Sequence, residues 1–125
     1  MPDKKKIVVI DDEQGVTELL QKVFTMDGYI VRTENYSEKG LELVKNEKPD
    51  IVLLDIKMPN IDGIEVLSRI KETEKDVIVI MITGYGSLET AMESMKSGAF
   101  DYITKPFDIN FIKELVARSL ESKKG

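Results

Sequence analysis

The 125-residue sequence contains no cysteine and no histidine, and these two absences remove most of the familiar routes to site chemistry. Without thiols there are no disulfides, no thiolate metal sites and no cysteine nucleophile, in keeping with a cytoplasmic setting. Without imidazole there is no Ser-His-Asp triad, no histidine metal ligand and no histidine general base. Any chemistry must run on carboxylates, hydroxyls, Lys, Arg and the backbone. Long apolar runs are missing too: the most apolar stretch, residues 77–82, is far shorter than a membrane span. A net charge of -5 and a pI near 4.9 leave no surplus of cations. That argues against direct nucleic-acid binding, which needs clustered Lys and Arg. Lys4-Lys5-Lys6 and Lys123-Lys124 are short terminal runs and read as solvated ends. The stretch before the first strand is too short for a signal peptide, and no repeat or low-complexity linker divides the chain.

What is present suits a single domain spanning 1–125. With 42% hydrophobic and 33% charged residues it can bury a core unaided. Residues 7–10 (IVVI), 51–54 (IVLL) and 77–82 (VIVIMI) are continuous apolar runs, the pattern of strands buried on both faces. Residues 29–33 alternate apolar and polar, and 102–104 are short, so both suit edge strands. Between them lie helical stripes. Val16, Leu19, Leu20, Val23 and Phe24 form the first, closed by Gly28. Ser37 is placed to cap the second, which carries Leu41 and Val44 and ends at 48–50. Ile64, Leu67 and Ile70 mark the third. Leu88, Ala91, Met92 and Met95 mark the fourth, with core packing expected of the methionines and Gly98 beyond the helix end. Asp108 caps the last helix, whose stripe is Ile112, Leu115, Val116 and Leu120, ending near Lys123. Strand and helix therefore alternate five times. The expectation is an α/β fold: a doubly wound five-stranded parallel sheet in the flavodoxin-like order 2-1-3-4-5, with helices on both faces and the site at the strand carboxyl ends.

That topology collects Asp11, Asp12, Asp55, Thr83 and Lys105 at one edge of the sheet. Singly, each has a plainer reading: helix capping for Asp11 or Asp12, a turn for Thr83-Gly84, a surface position for Lys105. Jointly they differ. Three carboxylates in one place raise each other's pKa values unless a cation intervenes, and a hard divalent ion such as Mg²⁺ suits oxygen ligands. Lys105 precedes Pro106, so its backbone is extended and its side chain can return over the site. An acidic metal pocket with one ammonium and one hydroxyl is suited to holding a phosphoryl group, and the available acceptor is a carboxylate.

Over essentially its full length the sequence resembles the receiver domains of two-component response regulators. The matching motifs are VVIDDE (8–13), LLDIKMPNIDG (53–63), TGYG (83–86) and YITKPF (102–107). The resemblance implies phosphorylation of Asp55 by a sensor histidine kinase or a histidine phosphotransfer protein. It implies Mg²⁺ held by Asp12 directly, by Asp11 largely through water, by Asp55, and by the backbone carbonyl of Lys57. Thr83 and Lys105 match the residues that contact the phosphoryl oxygens, Tyr102 matches a switch aromatic, and Lys105-Pro106 matches a cis peptide bond. Signalling would pass through the face of helix 4, strand 5 and helix 5 to a downstream protein or an output domain outside these residues, with a phosphorylation-dependent dimer also in scope. The implied chain is a signalling domain rather than an enzyme, promoting only its own phosphorylation and dephosphorylation. Stand-alone phosphorelay receivers and receivers of the sigma-54 activator type share these features, so relay to a histidine phosphotransfer protein is the alternative role.

Lys57 and Tyr85 depart from the commonest family pattern. They are expected to flank the path of hydrolytic water and so to prolong the phosphorylated state. Rival readings are weaker. A haloacid dehalogenase-type phosphatase needs a second Asp two residues after the nucleophile, where this chain has Lys57. A flavin or nucleotide module needs a hydroxyl- or glycine-rich phosphate loop after the first strand, where 11–13 would repel phosphate. A degenerate scaffold would not need the complete set of Asp, Thr and Lys.

Overall fold

The computed structural model describes residues 4–84 and 88–124. Ten elements alternate along the chain: β1 (Lys6–Ile10), α1 (Gln14–Met26), β2 (Ile30–Glu34), α2 (Ser37–Glu47), β3 (Ile51–Asp55), α3 (Gly63–Thr73), β4 (Ile78–Thr83), α4 (Leu88–Lys96), β5 (Asp101–Thr104) and α5 (Ile109–Lys124). All strand pairs are parallel and the order is β2-β1-β3-β4-β5. The doubly wound sheet is the expected one, with the more polar β2 and the short β5 at its edges.

The period of two along each strand builds two cores. Ile7, Val9, Ile51, Leu53, Ile80 and Ile82 face one side and pack against Leu20 and Phe24 of α1 and Ile112, Leu115 and Val116 of α5. Val8, Ile10, Val52, Leu54, Val79 and Met81 face the other side, against Val44 of α2 and Val66, Leu67 and Ile70 of α3. Continuous apolar runs in the sequence thus reflect a sheet covered on both faces.

Two expectations need correcting. Ser37 does not cap α2. The N-cap is Tyr36, in an extended conformation with no side-chain cap bond, and Ser37 is the first helical residue. Its buried hydroxyl instead donates to the Ile61 carbonyl at 2.6 Å and lies 3.7 Å from Met58 Sδ, tying α2 to the loop after β3. The stripe of α4 is likewise not core. Leu88, Met92 and Met95 are 78%, 55% and 48% exposed, and the buried residue of that helix is Ser94. The helix packs chiefly on β5 and α3, so periodicity marks an apolar side that no described residue covers.

Candidate functional site

Each expected site residue stands at the carboxyl end of its strand because the parallel register brings those ends level. Asp11 follows β1, Asp55 ends β3, Thr83 ends β4 and Lys105 follows β5. Ile10 pairs with Leu54, Asp55 with Ile82, and Thr83 with Thr104. The loop after β1 is pinned at its start. Asp11 N–H donates to the Glu34 carbonyl at 3.1 Å, and the Asn35 amide donates to the Asp11 carbonyl at 2.7 Å. Glu13 N–H then donates to Asp11 Oδ1 at 2.9 Å, turning the chain into α1.

Asp11 and Asp55 are buried and Asp12 is exposed beside them, yet carboxylate oxygens of all three lie within 4.8 Å of one another. The Lys105 ammonium reaches this group: it is 2.9 Å from Asp11 Oδ2, 2.7 Å from Glu13 Oε1 and 3.8 Å from Asp55 Oδ2. Its backbone N–H donates to the Thr83 carbonyl at 2.7 Å, which ties the end of β5 to that of β4. The Lys105-Pro106 peptide is cis, as the motif implied.

Burial pushes the Asp55 carboxyl up to about 7, helped by the negative charge of Asp11 and by Asp12, against the opposing pull of Lys105. Asp11 is raised for the same first reason, although its hydrogen bond to Lys105 works the other way. Burial alone would lower Lys105. Its hydrogen bonds to Glu13 and Asp11 and the charges of Asp11 and Asp55 outweigh that, and its pKa is raised. The Lys105 ammonium does not balance the carboxyl groups of Asp11, Asp12, Glu13 and Asp55 that surround it. The donors are all hard oxygens, a set that fits a divalent cation of the Mg²⁺ kind.

The loop from β3 to α3 is shaped by close packing. Ile56 and Met58 are buried on either side of exposed Lys57. Gly63 N–H donates to the Ile56 carbonyl at 2.6 Å, and Asp62 caps α3 by accepting from Glu65 N–H at 3.1 Å. A Cβ on Gly63 would overlap the Asp55 carbonyl and Ile56 Cα, so only glycine fits there. Tyr102 is half-buried on β5, with its hydroxyl 3.2 Å from Thr90 Oγ1 of α4. Tyr85 lies outside the described residues. Sequence reasoning named neither Glu13 nor Asn35 as a site residue. Glu13 had a signal, its place in the DDE run, whereas the contact of Asn35 with Asp11 spans 24 residues and left none.

The family model described as response regulator receiver domain matches residues 7–117. The chain belongs to that family. Among curated relatives, this receiver domain is 40% identical to sporulation initiation phosphotransferase F of Bacillus subtilis, over 95% of this chain and 96% of that protein. It is 38% identical to regulatory protein AtoC of Escherichia coli over 93% of this chain, but spans only 25% of AtoC. Of solved structures, a CheY-like response regulator receiver domain protein from Methanospirillum hungatei superposes with a TM-score of 0.95 at 30% identity, covering 98% of each chain. A receiver domain from Clostridium thermocellum gives 0.90 at 34% identity, covering 96% of this chain and 97% of the other. No described helix of the receiver is long and apolar enough to cross a membrane.

Proposed function

We propose that Asp55 accepts a phosphoryl group from a phosphohistidine on a sensor histidine kinase or a histidine phosphotransfer protein. The observation that carries this reading is the buried Asp55 carboxylate, clustered with Asp11 and Asp12 and faced by Lys105 at the carboxyl ends of three strands. An Asp55 oxygen forms the bond to phosphorus while the phosphorus–nitrogen bond of the donor breaks, its electron pair leaving with the donor imidazole. The 125 residues hold no histidine, so the donor group lies outside them. Asp12, Asp55, the Lys57 carbonyl and, through water, Asp11 would hold Mg²⁺. When bound, that ion neutralises charge on the phosphoryl oxygens and relieves repulsion among the carboxylates.

Lys105 and the Thr83 hydroxyl contact the phosphoryl oxygens in this reading. Their movement, with inward repacking of Tyr102, alters the face of α4, β5 and α5 read by a partner or output domain. The relative AtoC, a regulatory protein about four times longer than the span matched, supports an output role. The near full-length match to a protein named a phosphotransferase supports the second reading, relay of the group to a histidine phosphotransfer protein.

The test is intact mass after incubation with a small phosphodonor and Mg²⁺. Wild type should gain one phosphoryl mass, and Asp55→Asn none. A full gain in the variant would sink the assignment.

A further inference from the structure

We propose that Glu13 is a positioning residue for Lys105: its carboxylate holds the ammonium a phosphoryl oxygen's width from Asp55, in place before the acceptor is charged. This rests on the reading of Asp55 as acceptor and of Lys105 as a phosphoryl contact.

An ammonium has three donors and no acceptor. Two of them are taken up at short range, by Glu13 Oε1 at 2.7 Å and Asp11 Oδ2 at 2.9 Å. The 3.8 Å to Asp55 Oδ2 is too long for a hydrogen bond. Coulomb attraction to ionised Asp55 would favour the opposite arrangement, because a buried carboxylate attracts a cation more strongly than one in water. Asp55 is buried, yet the shortest contact goes to Glu13, whose side chain is 62% exposed.

The backbone explains how an exposed carboxylate prevails. Glu13 occupies the N-cap of α1 in an extended conformation, and its N–H is held by Asp11 Oδ1. An N-cap side chain ordinarily accepts from the first turn of its helix. That of Glu13 makes no such bond and is committed to Lys105, 92 residues away in sequence.

The gap left at Asp55 has a use. A phosphoryl oxygen on Asp55 would stand two bonds beyond the carboxylate oxygen, and the 3.8 Å gap brings it within reach of the Lys105 ammonium. A lysine seated directly on Asp55 would neutralise the nucleophile and would have to be displaced first. Holding it back removes that step, and misplacement of a contact group by an ångström is costly in rate.

The experiment compares wild type, Glu13→Ala and Glu13→Gln, with Asp55→Asn as control, using a small phosphodonor and Mg²⁺. Glu13→Ala should be phosphorylated about tenfold more slowly. Glu13→Gln, which keeps an acceptor oxygen, should recover most of the rate. Backbone amide titration should show Mg²⁺ affinity little changed in both, since Glu13 is not among the proposed ligands. In the metal-free protein, the Lys105 side-chain ¹⁵N–¹H resonance should be visible in wild type and Glu13→Gln and lost in Glu13→Ala. A wild-type or faster rate in Glu13→Ala, or an unchanged Lys105 resonance there, overturns the proposal. Failure of wild type to gain a phosphoryl mass, or a gain in Asp55→Asn, strikes instead at the acceptor reading and takes the proposal with it.

Discussion

Asp55 shows how one residue couples function to stability. Its folded pKa of about 7 stands above the usual carboxylate value, so the folded chain binds a proton between roughly pH 4 and 7 that the unfolded chain releases. The stability conferred is therefore complete below about pH 4 and is lost as pH rises to about 7. Asp55→Asn removes the cost of keeping a buried charge. In chelator, urea unfolding should find the variant more stable than wild type at pH 8, by an amount of order 2–4 kcal/mol, with the gap closing towards pH 4. A gap that stays constant with pH would show that Asp55 is not the titrating group. Ser37 acts at the same scale. Its buried hydroxyl holds the Ile61 carbonyl, and Ser37→Ala leaves that acceptor unsatisfied. A loss of about 1–2 kcal/mol in a denaturant melt is expected, together with weaker Mg²⁺ binding because the loop carrying Lys57 is no longer tied down.

Among the elements, α3 and α4 illustrate opposite kinds of attachment. The start of α3 is pressed against β3 so closely that a methyl group on Gly63 would collide with the backbone of Asp55 and Ile56. Gly63→Ala should therefore cost about 2 kcal/mol or more and impair phosphorylation as the acceptor strand shifts, both measurable on one sample. In contrast, α4 shows its apolar side to solvent and buries Ser94, whose hydroxyl lacks a hydrogen-bond partner among the described residues. Replacing an unsatisfied buried hydroxyl by a methyl is favourable, so Ser94→Ala should raise stability by up to about 1 kcal/mol. A destabilised Ser94→Ala in thermal melts would mean that the hydroxyl finds a partner in solution. Through Thr90 this helix meets Tyr102 of β5, where the proposed signal is read out.

For the molecule as a whole, the charge pattern predicts linkage between metal binding and folding. The acidic cluster exists only when β1 and β3 are paired, so a cation bound there stabilises the folded state alone. Calorimetry should show Tm rising with Mg²⁺ in wild type, equivalent to about 2.7 kcal/mol at a hundred times Kd. Asp12→Ala should abolish most of that rise while leaving the metal-free fold intact. An equal rise in the variant would place the ion elsewhere.

The fold was legible in the sequence because its determinants are local. Apolar runs bounded by turn residues set the strands, and the polarity of 29–33 and the shortness of 102–104 set the edges. Right-handed crossovers left few arrangements for the rest, and the order 2-1-3-4-5 met the edge condition. The carboxyl-end residues Asp11, Asp12, Asp55, Thr83 and Lys105 followed from that order alone. Tertiary structure decided what depends on reach between distant segments. It turned the Ser37 hydroxyl away from capping α2 and onto the loop after β3, gave Glu13 to Lys105, and set Asn35 against Asp11. It also left the apolar side of α4 uncovered, since a helical period tells which residues share a face but not whether a neighbour will cover it. Local pattern encodes backbone course, whereas side-chain partners depend on distances that exist only once the sheet is assembled.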